Sequence, residues 1–281
     1  MRHSKRTRTN GCCDQEGEIR FTMKTITFGT VRVGETIVPP GTRCPASELA
    51  GNISLGDSGQ IPENLINWIY YDGRFIADRS VLHGVSWNDI ERSNLCFGKK
   101  IVIDGLPFGT RLVSSDPTVS MDEMGVFTIP SEWDLALSEP ETSALWKEDQ
   151  IEFWSEDITM VTSRLKTVRG GAVFRAQATR SMDLREGMGY RPVLVPECFN
   201  PKNIHKLIGR KVVLYGSMGF LIGFVNELTD YDIIVSQVEL GKQGSSFCED
   251  ISARLPDGRV AVSREYATKI QPYLRKSELK A

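Results

Sequence analysis

Apolar and polar positions alternate in short runs along most of this chain, and few runs hold the three-to-four spacing of a long helix. "TITFGTVRV" (Thr25–Val33) predicts a first strand. "NWIYYDGRFIADRS" predicts two more, joined at Asp72–Gly73, a dipeptide suited to a tight hairpin turn. "GKKIVIDGLPFGTRLVSS" repeats the device: Ile101 and Ile103 alternate with Lys100 and Val102, the chain turns at Asp104–Gly105, and Thr110–Val113 return. Two short helices carry start signals. Ser86 caps a helical turn leading from Trp87, and Ser131, with Asp134 three residues on, caps a helix over Glu132–Leu137. "EPETSALWKEDQIEFWSEDI" predicts loop and a turn of helix before a strand near Ile158–Val161.

The texture changes after Cys198. "FNPKNIHKLIG" predicts a loop and a short helix ended by Gly209. Four strand candidates follow, "RKVVLYG", "GFLIGFVNELTDYD", "IIVSQVEL" and "VAVSREYATKIQPY", with turns where the alternation breaks; this is the pattern of a small β-barrel. The chain therefore divides into a leader at 1–22, disordered or an upstream extension, a β-rich segment at 23–83, a domain at 84–197 and a barrel at 203–275. The boundary falls near 197–203.

Composition narrows the partners. With 281 residues, a net charge of −2 and 25% charged residues, nothing global recruits nucleic acid or an anionic membrane. The basic start "MRHSKRTRTN" lacks the apolar stretch of a secretory signal, and no segment has the roughly 18 apolar residues of a membrane span. A cytoplasmic site of synthesis, with later association with a virion, is the expectation. The six cysteines and three histidines lack the close pairing of a structural zinc site, so neither metal nor cofactor is expected, and buried free thiols are.

No nucleophile elbow, metal-binding helix or phosphate loop is present, and proximity of His83, Ser86 and Asp89 in sequence is no evidence of a triad. The acids Glu132, Asp134, Glu156 and Asp157 read as structural or solvated. One stretch stands out, "RLKTVRGGAVFRAQATRSMDLREGMGYR", where Arg164, Lys166, Arg169, Arg175, Arg180, Arg185 and Arg191 face only Asp183 and Glu186. Guanidiniums can brace irregular backbone with five donors each, or form a patch for an anion. Bracing is expected of Arg169 and Arg191, beside a glycine pair and a proline. Ligand contact is expected of Arg175, Arg180 and Arg185, with Gln177 and Phe174.

The order "GKKIVIDGLPFGTRLV", "SEWDLAL", "FWSEDI", "VRGG", "GYRPVLVP" resembles a family of Firmicutes and phage-associated proteins with a C-type-lectin-like domain. That family is related in pattern to formylglycine-generating-enzyme-type domains and to variable receptor-binding proteins of diversity-generating elements. The resemblance covers about 84–197 and implies an α+β fold of short strands, loops and few helices. It implies a signature of Trp133, Arg169, Gly170, Gly171, Tyr190, Arg191 and Pro192, with Arg191 paired to Glu132 or Asp134 over Trp133. It also implies a variable polar loop over 172–188 as the ligand surface, closed by a strand at Gly189–Leu194. The cysteines of the formylglycine-type oxidases have no counterpart between Cys96 and Cys198, so that activity does not carry over. The C-terminal block is similar to the SH3-like barrel of Sm proteins, with a bend expected at Gly223. Its "DYD" (Asp230–Asp232) sets acids where an RNA backbone would pass.

The expectation is a non-enzymatic binding protein of phage or mobile-element type. It presents the 170–188 loop to a protein, glycan or anionic polymer and uses its barrel for attachment, homo-oligomerisation or assembly into a particle. The alternative is a nucleic-acid-associated accessory protein that uses the Arg-rich loop and the barrel together. An enzyme of another reaction on the same scaffold ranks below both.

Overall fold

The computed structural model describes residues 24–49, 52–115, 118–122, 125–138, 146, 150–158, 164–173, 175–197, 201–216, 219–239, 252–265, 267 and 269–274. The leader at 1–22 and Cys12, Cys13, Cys198 and Cys248 lie outside them, as do Phe174 and the 159–161 part of the expected strand.

The chain begins with β1 (Lys24–Val33), β2 (Thr36–Val38), β3 (Thr42–Arg43), the helix α1 (Ala46–Leu49) and β4 (Ile53–Gly56). Next come β5 (Leu65–Tyr71), β6 (Arg74–Ala77), β7 (Leu82–His83), α2 (Trp87–Arg92), β8 (Phe97–Ile103) and β9 (Leu106–Leu112). They are followed by β10 (Thr118–Asp122), β11 (Gly125–Ile129), α3 (Glu132–Ser138), β12 (Glu152–Ile158) and β13 (Leu165–Gly170). Then come β14 (Gln177–Ser181), β15 (Met188–Tyr190) and β16 (Pro192–Pro196). After a 3-10 turn at Pro201–Leu207 run β17 (Lys211–Gly216), β18 (Gly219–Leu228), β19 (Asp232–Glu239), β20 (Ser252–Arg254), β21 (Val260–Ser263) and β22 (Lys269–Pro272).

Strand accounts for 54% and helix for 12%, so the molecule is mostly β and not the α+β mixture expected. Both helix-start signals are real. Ser86 and Asp89 form a reciprocal capping box, and the Ser131 hydroxyl bonds Asp134, but α2 and α3 end after six and seven residues. Between these caps the chain returns to strand. Both hairpin turns also stand where the sequence puts them: Asp72 and Gly73 adopt φ 44° and 73°, and Asp104 and Gly105 adopt 51° and 81°.

The main sheet runs β2-β1-β5-β6-β16-β9-β8, with β4 also on β1. Its central strands are buried on both faces. Trp68, Tyr70, Phe75, Ala77 and Leu194 point into the largest core, while Ile69, Ile76 and Val193 point into a second one under α3. Covering both faces explains why "NWIYY" and "PVLVP" read as nearly continuous apolar runs. A second sheet, β14-β13-β12-β15-β7-β3, packs against the same two cores through Trp154 and Val168 on one side and Phe153 on the other. Since β6 pairs β16 and β7 pairs β15, the segments 23–83 and 84–197 contribute strands to the same two sheets.

Two further corrections concern residues 84–197. The expected strand near Ile158 lies earlier, at Glu152–Ile158, and the supposed loop 172–188 contains β14. The closing strand is two strands: β15 belongs to the second sheet and β16 to the main one, with the change of sheet at Arg191.

The C-terminal sheet runs β20-β21-β19-β18-β17-β22 and is a half-barrel, its two end strands unpaired with each other among the described residues. The bend falls at Gly223, bulged between Ile222 and Phe224, where a Cβ would stand 3.0 Å from the Ser236 carbonyl. Tyr215 stacks on Tyr70 at 5.8 Å, and Val213 and Phe220 join the main core. Tyr70 donates to the Gly216 carbonyl at 3.1 Å and Leu274 N–H to the Gly105 carbonyl at 2.8 Å. The half-barrel is thus fixed to the two Asp-Gly hairpins. No described helix is long and apolar enough to cross a membrane.

Candidate functional site

The change of sheet at Arg191 is built around its guanidinium. Arg191 is fully buried, and its Cζ lies 4.5 Å from the Phe153 ring centroid, 5.1 Å from Trp133 and 5.8 Å from Trp146. Ring faces carry negative charge density and attract a desolvated cation. Trp133 packs on Arg191 as expected, but Glu132 and Asp134 are engaged by other guanidiniums. Glu132 takes a two-pronged bond from Arg111, 2.8 Å on each oxygen, and another from Arg74 at 2.6 Å. Burial alone would raise the Glu132 carboxyl, but Arg111, Arg74 and the Ser114 N–H outweigh it and hold the group below the usual range. Neighbouring Glu156 is pushed the other way, by burial first and then by Glu132 and Asp157, against the pull of Arg111.

Arg169 braces as expected. Buried on β13, it donates to Asp134 at 2.9 Å, to the Arg175 carbonyl at 3.2 Å and to the Ser115 carbonyl. Gly170 and Gly171 follow at φ 89° and 85°, and a Cβ on Gly170 would lie 3.0 Å from the Ile151 carbonyl and 3.1 Å from the Phe153 ring. Gly170→Ala is therefore expected to cost more than about 1 kcal/mol in urea unfolding, since strain and crowding act together.

The residues expected to touch ligand come together on one ledge, β14 and its flanking turns, but mostly as its fasteners. Arg180 forks onto Glu152 of β12 at 2.7 and 2.5 Å. Arg185 reaches Asp89 at 2.7 Å, a fully buried carboxylate whose other oxygen serves the Ser86 cap. Arg175 is exposed at its base and donates to the Leu137 carbonyl at 2.7 Å. Gln177 is exposed at the start of β14, which ends its sheet among the described strands. Of the seven basic residues in this stretch, Lys166, Arg169 and Arg191 are buried, Arg180 and Arg185 are ion-paired, and Arg164 and Arg175 stand at exposed positions. What the ledge offers outward is mixed: Val173 (63% exposed), Leu184 (37%), Gln177, Thr179, Asp183 and Glu186.

No protein-family model, curated protein or solved structure matches this chain.

The ledge continues onto α2, because Asn88 N–H bonds the Met182 carbonyl and its side chain donates to Asp183. Beyond α2 lies a cleft of about 360 Å³ that the sequence does not announce, lined by Glu91, Asn94, Cys96, Phe97, Gly98 and Lys99. Phe97 is 57% exposed, its ring edge-on to Trp87 at 5.7 Å. Lys166 holds its ammonium 4.0 Å from the Trp87 centroid and is only 5% exposed. Burial pushes the Cys96 thiol well above its ordinary range, Glu91 adds to the shift, and Lys166 partly offsets it. Cys44 and Cys96 are buried free thiols. Among the described residues, no group of three or more His, Cys, Asp or Glu is placed to hold a metal ion.

Proposed function

We propose that this chain is a binding protein whose recognition surface is the ledge of β14, the 182–187 turn and the adjoining face of α2. The observation that carries the reading is the fastening. Two long-range ion pairs, Arg180–Glu152 and Arg185–Asp89, hold a solvent-facing segment in one geometry. A surface ordered in advance loses less entropy on binding. Around these pairs stand exposed apolar groups, Val173 and Leu184, which suit a protein or polymer partner better than a phosphate backbone does. The similarity of "VRGG" and "GYRPVLVP" to phage-associated lectin-like proteins supports a place on a virion or comparable particle. The docked half-barrel would serve attachment.

The nucleic-acid alternative loses its main support, because most of the basic stretch is buried or ion-paired. The two readings part in one experiment: a salt titration against labelled single-stranded RNA and DNA, run beside retention on isolated bacterial envelopes. We expect envelope retention that survives moderate salt. Tight nucleic-acid binding that falls steeply with salt would overturn the proposal in favour of the alternative.

A further inference from the structure

The cleft beyond α2 has three features that the ledge does not explain. The first is how Phe97 comes to face water. Phe97 pairs with Arg111 and Lys99 with Thr110, so Gly98, at φ 112°, is an extra residue bulged out of the β8–β9 ladder. Such bulges re-aim a neighbouring side chain. Here a ring that would pack inward stands 57% exposed at the cleft, buttressed by Trp87.

The second feature is charge. Lys166 is 95% withdrawn from water by its 5% exposure, and it has no hydrogen-bond or ion-pair partner among the described residues; only the Trp87 ring faces its ammonium. Cys96 lines the cleft and feels the Lys166 charge, and burial, which keeps its thiol neutral, stops it from cancelling that charge. The nearest buried carboxylate on α2, Asp89, is taken by Arg185 and Ser86. An ammonium faced by a ring and by no carboxylate is a positive centre that an anion in the neighbouring cleft can use.

The third is the rim. Lys99 is half-buried and spends one proton on the Ser93 carbonyl at 3.2 Å, leaving two for a ligand. Asn94, held at φ 60°, offers an exposed amide. Glu91, on the opposite side of the charge balance, disfavours multiply charged anions. The volume of about 360 Å³ is at the small end of ligand sites.

We infer that this cleft binds a small organic monoanion with a flat apolar face, its ring stacked on Phe97 and its charge held by Lys99 with Lys166 behind. An aromatic monocarboxylate is the chemical class. The inference goes beyond the ledge's role and does not depend on it.

Calorimetric titration of the full chain with benzoate tests it, beside benzyl alcohol (ring without charge), acetate (charge without ring) and inorganic phosphate. Saturable benzoate binding is expected, tighter than each of the others by about tenfold. Phe97→Ala and Lys99→Met, both at solvent-accessible positions, should each weaken benzoate by roughly tenfold while leaving circular dichroism unchanged. Lys166→Met should weaken benzoate as well. Benzoate binding no tighter than acetate or benzyl alcohol, or unchanged by Phe97→Ala, would overturn the inference. So would a Lys166→Met chain that binds benzoate as the wild type does. If Lys166→Met fails to fold, the Phe97 and Lys99 variants still decide the matter.

Discussion

Glu132→Gln is expected to lower the unfolding free energy at pH 7 by about 3–5 kcal/mol, the range for removing one member of a buried charge cluster. The substitution keeps the shape of the side chain. Its effect therefore reports the charge that Arg111 and Arg74 face, not a cavity. Two strands and the segment after β9 depend on it: Arg74 comes from β6, Arg111 from β9, and the Ser114 N–H bonds the same carboxylate. The pH dependence has a definite sign. Glu132 is depressed in the fold, so its contribution is present above the unfolded value near 4.5 and is lost as the pH falls through the lower folded value. Glu156 is raised, so its contribution favours the fold below that point and fades as the pH rises through its folded value. Urea unfolding of wild type and Glu132→Gln should consequently differ most at pH 7 and converge in acid. A difference that stays constant down to pH 3 would show that the carboxylate's charge is not what holds the two arginines.

Arg191→Ala is the second large effect, also about 3–5 kcal/mol, as for truncating a large side chain in a packed core. It removes the guanidinium from Phe153, Trp133 and Trp146 at the point where the chain leaves one sheet for the other. Arg191→Lys should fall between, since an ammonium keeps the charge but loses the plane that packs on rings. Arg175→Ala, which gives up one bond to the Leu137 carbonyl at the end of α3, should cost about 1 kcal/mol or less. Chemical denaturation of the three variants checks the order. An Arg191→Ala chain as stable as Arg175→Ala would contradict the role assigned to the ring cage.

What was legible in the sequence was local. Asp72–Gly73 and Asp104–Gly105 announce hairpins because both positions need positive φ, and Ser86 with Asp89 announces a helix start because the cap closes within four residues. What was not legible depends on distant partners. "QATRS" has no apolar alternation, because β14 lies at the end of its sheet and shows polar groups on both faces; only its pairing with β13 makes it a strand. Arg191 was expected to pair with the acids of "SEWD", yet its cage is assembled from rings brought in by β12, α3 and Trp146, while those acids meet arginines from β6, β9 and β13. The run "GYRPVLVP" looks continuous, and nothing in it marks the change of sheet.

The same blindness shaped the reading of function. Seven basic residues in one stretch look like a patch when counted, but three of them are buried and two more are committed to ion pairs. Lys166 was one letter in that count, and its place under Trp87 beside a cleft is visible only in three dimensions. Phe97 reads as the opening of a strand, and the bulge at Gly98 that turns it outward has no signature beyond a single glycine.

The central claim is that the arginines fasten the ledge and the groups between them recognise the partner. The direct test is retention on isolated envelopes by two folded variants: a Val173→Asp, Leu184→Asp double substitution, which changes exposed apolar groups, and Arg175→Ala. We predict that the first loses retention by about tenfold or more and the second keeps it, since apolar contacts at the centre of an interface dominate its energy. Loss with Arg175→Ala and retention by the double variant would contradict the account and return recognition to the exposed charge.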